Sequence, residues 1–224
     1  MSGASTGRDH GRLDAALRDR LEPQPVVSRT EAYDGRVWDV VQDVVDLGDA
    51  GQVTRDYVQH TGAVAVVALR GEPGAEELLL IQQYRHPVRT FDWEVPAGLL
   101  DNPGEDPRAA AARELREEAD LDAGTWNVLV DIFTSPGAIS ESIRIFLARD
   151  VYAATADGFV REGEEVGMPT GWLSLDDAVD AVVDGRLHNG PAVTGILATH
   201  LARQRDWATL RPADAPWPEH PAYR

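Results

Sequence analysis

Glu105, Arg113, Glu114, Glu117 and Glu118 gather in one stretch, GLLDNPGEDPRAAAARELREEADL, between Gly98 and Leu121. Four carboxylates around one guanidinium, with no His or Cys among them, offer hard oxygen ligands that suit Mg²⁺ or Mn²⁺ better than Zn²⁺. A plainer reading is a solvated helix face on which Arg113 pairs weakly with Glu117 at the i, i+4 spacing. What precedes the stretch favours the first reading: WEVPAGLL is an apolar, strand-like segment running into a glycine loop, and a loop held by a rigid strand is where sites are built. Asp106 is a capping residue type and Pro107 is pre-set for a first helical position, so a helix should begin there. At roughly 100° per residue, Glu118 and Glu117 flank Glu114 by about 40° and 60°. Ala112, Leu115 and Ala119 then fall on the opposing side, so one face is expected to pack and the other to carry the carboxylates.

Composition removes rival chemistries. The 224 residues contain no Cys, which excludes disulfides, thiolate metal sites and cysteine nucleophiles. They also contain no Lys, all 21 basic residues being Arg, which excludes a Walker-type phosphate loop and Schiff-base catalysis. A formal charge of -17 argues against nucleic acid as a partner and requires any phosphate-bearing substrate to be met locally by cations and arginines. No apolar run is long enough to span a bilayer, and MSGASTGRDHGRLD lacks the apolar segment of a secretory signal, so a cytoplasmic protein is expected.

Around the acidic stretch the chain reads as α/β. Residues 1–22 are expected to form a flexible arm with a short helix from Arg12 to Leu21, and residues 23–60 a β region broken by Asp34-Gly35 and by LGDAGQ. A main domain should occupy residues 61–207, with a tail rich in Pro and Trp at 208–224. GAVAVVALR and ELLLIQQYR read as core strands joined by GEPGAE, TWNVLVDIF, SIRIFLARDV and MPTGWLSL as further strands, and Leu175 to Val183 and Pro191 to Gln204 as closing helices.

The acidic stretch resembles the box of the Nudix hydrolase family: G, five residues, E, seven residues, then R-E-U-x-E-E-x-G-U, with U bulky and apolar. Gly98, Glu105, Arg113, Glu114, Leu115, Glu117, Glu118 and Leu121 fill it, with two departures. Six residues rather than five follow Gly98, an insertion that a loop tolerates. Asp120 replaces the glycine at the helix end, where Asp is among the few residues that accept a left-handed backbone. Pro136, 15 residues after Leu121, and the strings QYRHPVRTFDWEVPAGLL and GAVAVVAL resemble ADP-ribose pyrophosphatases in particular.

The resemblance implies a mixed β-sheet sandwiched between α-helices, with an N-terminal β region that forms a homodimer, and hydrolysis of ADP-ribose to AMP and ribose 5-phosphate. It implies Glu114, Glu117 and Glu118 as Mg²⁺ ligands, Mn²⁺ being the alternative, joined by the carbonyl of Ala97, with Arg113 and Glu105 holding them in place. It places a general base on a mobile loop beyond the box, where REGEEVG offers Glu165 first, then Glu164 and Glu162. Arg85, at the end of an apolar strand, needs either a phosphate or a neighbouring carboxylate. Glu94 could accept from ribose hydroxyls. Arg55, Trp38 and Tyr57 in the β region either sandwich adenine across the dimer or serve as core and dimer contacts. Two other functions stay open: a Nudix enzyme acting on a sugar nucleotide or dinucleotide, and a nucleotide-sensing module without turnover, against which the intact glutamates and the absence of a basic segment argue.

Overall fold

The computed structural model describes residues 11–155 and 167–223. Its first body is an antiparallel sheet of β1 (Val26–Tyr33), β2 (Asp39–Asp46) and β3 (Gln52–Gln59), hinged at the two turns that the sequence marks. The expected helix from Arg12 to Leu21 is absent, and Leu13, Leu17 and Leu21 are exposed. Ten residues with no surface to pack against are too few to hold a helix in water.

The main sheet is built around β4 (Ala63–Arg70), whose sequence AVAVVALR is buried at seven of eight positions. Continuous apolar runs of this kind suit a central strand covered on both faces. The other strands are β5 (Glu77–Arg85), β6 (Thr90–Glu94), β7 (Ala97–Leu99), β8 (Leu121–Phe133), β9 (Ser142–Ala153), β10 (Thr170–Ser174) and the two-residue β11 (Arg211–Pro212). The order is β10-β5-β4-β9-β8-β11, with β6 on β5 and β7 on β4; β4 and β9 are parallel and the remaining pairs antiparallel.

β4 has two different partners along one edge. Ala63 to Ala65 pair with β7, whereas Leu69 and Arg70 pair with β5. The sheet forks between them, and WEVPAGLL divides into β6 and β7 with Val95-Pro96 at the fork. The Pro96 carbonyl still accepts from Val66 N–H at 2.8 Å.

Helix α1 (Pro107–Ala119) covers one face, packing Ala110, Ala111 and Leu115 on Val64, Val66 and Phe146. Helices α2 (Leu175–Val183) and α3 (Gly190–Gln204) cover the other, over Val67, Leu78, Leu80 and Ile145. Asp106 caps α1 by accepting from Ala109 N–H at 3.1 Å, and Asp120 ends it at φ 55°, ψ 33° in the left-handed region, as the replacement of glycine requires. The α/β sandwich is therefore the expected one.

Candidate active site

The packing and carboxylate faces of α1 are not opposed as the wheel predicts. Buried positions centre on Ala111 and Leu115, and Glu114 lies with them, while Ala112 is only half-buried and Arg116 faces solvent. The helix is rotated so that Glu114 and Glu118 point at β7. Spacing gives relative angles around a helix but not which arc meets the sheet, and the small side chain of Ala111 lets that arc approach.

Glycine makes the approach feasible. A Cβ on Gly98 would fall 2.0 Å from Oε1 of Glu114, so any side chain there would displace that carboxylate. One residue earlier, Ala97 N–H donates to Glu118 Oε2 at 2.9 Å. Burial pushes the Glu118 carboxyl up to about 8, with the nearby Glu114 and Glu94 charges adding to the rise, while the Ala97 N–H and Arg85 oppose it. Burial also raises Glu114, against the pull of Arg113.

Arg113 ties the rest together. Its Nε and Nη2 each donate to Glu105 at 3.2 Å, and Nη1 donates to Glu114 Oε1 at 2.6 Å and to Glu117 Oε2 at 3.1 Å. The hydrogen bonds from Arg113 hold the Glu105 carboxyl below its ordinary range, and Asn102 adds another at 3.2 Å. Among the described residues, no three carboxylates converge as a metal-ligand group: Glu114 and Glu117 turn to Arg113 and Glu118 to the backbone. The donor set nevertheless fits a hard divalent cation. Two adjacent carboxylates, Glu114 buried and Glu118 half-buried, are both raised by desolvation despite these bonds, and a cation is the compensation that all-oxygen donors accept.

Arg85 and Glu94, predicted as separate substrate contacts, form one unit. Arg85 Nε and Nη2 each donate to a Glu94 oxygen at 2.7 Å, across the paired strands β5 and β6, with Glu94 only 3 % exposed. Of the two explanations for Arg85, the neighbouring carboxylate is the one seen here. The pair lies close enough to Glu118 to influence its charge.

The three residues of the β region are engaged elsewhere in the chain. Tyr57 donates to Asp43 at 3.0 Å and accepts from Arg29 at 2.7 Å, and Arg55 donates to the Thr54 carbonyl at 2.9 Å. Trp38 stacks on His60 with ring centres 4.1 Å apart. Glu162, Glu164 and Glu165 lie outside the described residues. Before them in the chain, Ala154 N–H donates to the Asp120 carbonyl at the end of α1 at 2.9 Å. After them, the Pro169 carbonyl accepts from Gln82 N–H, on the strand bearing Arg85, at 2.8 Å. The sequence marks Gly98 as the first position of the box but not its closeness to Glu114, which comes from the packing of α1 on β7; the Arg85–Glu94 fork comes from the pairing of β5 and β6, and Asn102 supports Glu105 from three residues away in the same loop.

No helix among the described residues is long and apolar enough to cross a membrane. The fold agrees with comparisons against known proteins. An ADP-ribose pyrophosphatase of Mycobacterium tuberculosis is 40% identical over 198 residues, spanning 87% of this chain and 91% of the relative. A methanol dehydrogenase activator of Bacillus methanolicus is 30% identical over 177 residues, 79% of this chain and 92% of the relative. A crystal structure of an ADP compounds hydrolase superposes with a TM-score of 0.67 at 20% identity, covering 84% of this chain and 98% of the other, which speaks for the fold alone. The NUDIX domain model matches residues 59–193, from the end of the N-terminal sheet to the first turn of α3, and with the box glutamates all in place the chain belongs to that family.

Proposed function

We propose that the chain hydrolyses the pyrophosphate of ADP-ribose to AMP and ribose 5-phosphate. The observation that carries the reading is the pair of adjacent carboxylates raised by desolvation, buried Glu114 and half-buried Glu118, set against a glycine of β7 and ringed by Arg113, Glu117 and Arg85. The relative from Mycobacterium tuberculosis supports the substrate.

Glu114, Glu117 and Glu118, with the Ala97 carbonyl, would hold Mg²⁺, or Mn²⁺ in its place. When bound, the cation neutralises charge on the phosphoryl oxygens and acidifies water. Arg113, locked by Glu105, keeps Glu114 and Glu117 aligned. Arg85, oriented by Glu94, presents a guanidinium edge to a phosphate, so Glu94 acts through Arg85 rather than on ribose. Glu165, or Glu164, takes the proton from the attacking water; the water oxygen bonds to phosphorus as the bridging P–O bond breaks. Hydrolysis of ADP-ribose in ¹⁸O-labelled water with Mg²⁺ tests this. AMP and ribose 5-phosphate, with the label in one of them, are expected, and no turnover would refute the substrate. The differently named methanol dehydrogenase activator keeps a second specificity in play, and a panel of sugar nucleotides and dinucleotides separates the two.

The base assignment has its own test. A group that takes a proton from water contributes roughly 10² to 10⁴ in rate and little to ground-state binding. Glu165→Gln should lower kcat strongly and leave KM and metal affinity unchanged; if Glu164→Gln does so instead, the neighbour is the base.

The chain further acts as a homodimer through its N-terminal sheet. All eight residues of β1 are exposed in the single chain, among them the apolar Val26 at 49 %, Val27 at 55 % and Tyr33 at 64 %, which a second copy would cover. Deletion through Val58 should abolish dimerisation and ADP-ribose binding together; a folded monomer with parental affinity would reduce the sheet to packing.

A further inference from the structure

The last turn of the chain ends on the loop that carries Glu105. Arg144, buried in β9, forks Asp131 at 2.8 and 3.1 Å and donates to the carbonyls of Ala215 at 2.6 Å and Pro216 at 3.0 Å. Its guanidinium carbon lies 4.7 Å from the centre of the Trp217 ring. A buried cation is costly unless its donors are used, and here they are spent on fixing the tail. Trp217 is 1 % exposed within the core under α1 and stacks on Tyr223, ring centres 5.7 Å apart and planes within 5°.

His220 wedges the tail against the strands that bear the site. Its Nδ1 accepts from Ala222 N–H at 3.2 Å, so Nε2 carries the proton donated to the Thr61 carbonyl at 2.8 Å. A Cβ on Gly62 would fall 2.1 Å from that Nε2, and the Gly62 carbonyl accepts from Leu100 N–H at 3.0 Å, just past β7. Beyond His220, the Tyr223 hydroxyl donates to the Glu105 carbonyl at 2.9 Å.

We propose that residues 211–223 form a strap that positions the active site, with Tyr223 as its acting residue. Tyr223 holds the backbone of Glu105, the Glu105 carboxylate forks Arg113, and Arg113 sets Glu114 and Glu117. Without the hydroxyl, the Asn102–Glu105 loop loses a restraint, and the Arg113 fork with it drifts from the geometry the carboxylates need. The proposal rests on Glu114 and Glu118 holding a divalent cation.

Tyr223→Phe is the test, because it keeps the ring stacked on Trp217 and removes only the hydroxyl. Outer partners of ligand groups commonly affect metal affinity or activity by 10- to 100-fold, so one bond further out kcat should fall about five- to twenty-fold with KM for ADP-ribose within about two-fold. Mn²⁺ binding, followed by electron paramagnetic resonance without substrate, should weaken at least about three-fold, and the melting temperature should stay near the parent's. Glu118→Gln is measured alongside. If Glu118→Gln loses Mn²⁺ while Tyr223→Phe keeps parental kcat and Mn²⁺ affinity, the strap is only packing and the proposal is overturned. If Glu118→Gln binds Mn²⁺ as the parent does, the cation site is misread, and kcat of Tyr223→Phe still decides the strap: parental turnover overturns it, reduced turnover with unchanged KM upholds it.

Discussion

Glu118 and Gly98 illustrate how differently two residues of one site announce themselves. Glu118 is legible because its type, spacing and company form a pattern, and the structure adds that burial holds its carboxyl high, to about 8. Glu118→Gln keeps the shape and removes the charge a hard cation needs, so turnover should fall by about 10² or more with the fold intact; steady-state kinetics beside circular dichroism check this. Turnover within a few-fold of the parent would remove Glu118 from the ligand set. Gly98 makes a different case: its place at the start of the box is legible, but its role, space for a side chain sixteen positions along the chain, is visible only in the structure. Adding a methyl group displaces the far end of Glu114, a flexible group, so Gly98→Ala should fold normally, since its backbone lies outside the positive-φ region. Activity should nevertheless drop by about 10² or more, because a ligand misplaced by about 1 Å is costly. A normal melting curve with lost activity is the expected pair of results. Arg85 and Glu94 lie between these extremes: each is conspicuous alone, but their partnership depends on the β5–β6 register.

The elements most legible in the sequence are those with a single periodicity and clear ends. β4, β5, α1 and the two closing helices come where composition and capping put them, and Asp120 takes the left-handed turn predicted for it. The failures have one cause, tertiary contact. The arm from Arg12 to Leu21 has helical spacing and no partner; the rotation of α1 is set by Ala111 meeting the sheet; β8 starts at Leu121 rather than at Thr125 because β9 extends far enough to pair with it. The N-terminal sheet has its own polar centre, in which Arg29 forks the buried Asp43 with two bonds of 2.7 Å and Tyr57 completes the triad, with Arg55 opposite Asp43 in the strand register. The hydrogen bonds from Arg29, then those from Tyr57, hold the Asp43 carboxyl below its ordinary value. A carboxyl depressed in the folded state contributes stability that is complete above its unfolded pKa of about 3.9 and is lost as pH falls through the lower folded value. The sheet should therefore loosen below about pH 4, and Asp43→Asn should flatten that acid dependence while lowering stability at neutral pH. Proteolysis between residues 26 and 59, followed from pH 6 to pH 3, reports it; an unchanged acid profile in the variant would move the dependence to another group.

At the scale of the whole molecule, the dominant quantity is the formal charge of -17, carried without a single Lys. A substrate with a pyrophosphate must approach against that field, and at the site Arg85 and Arg113, each engaged with carboxylates, are outnumbered by Glu94, Glu105, Glu114, Glu117 and Glu118, so a bound divalent cation has to supply the short-range attraction. Repulsion at long range and attraction at short range respond differently to salt. The Debye length falls from about 30 Å at 0.01 M to about 8 Å at 0.15 M, so added salt screens the distant carboxylates while contacts within the site, a few ångströms long, are screened much less. With the divalent metal held saturating, kcat/KM for ADP-ribose should rise about two-fold or more between these two ionic strengths, and kcat should change little, because encounter improves and chemistry does not. The opposite slope, kcat/KM falling with salt, would mean that arginines around the entrance outweigh the net charge and steer the substrate in. The same titration on a neutral-surface variant, with exposed Asp and Glu far from α1 replaced by Asn and Gln, should show the rise disappear, which ties the effect to the field of the whole molecule rather than to salt acting on the metal.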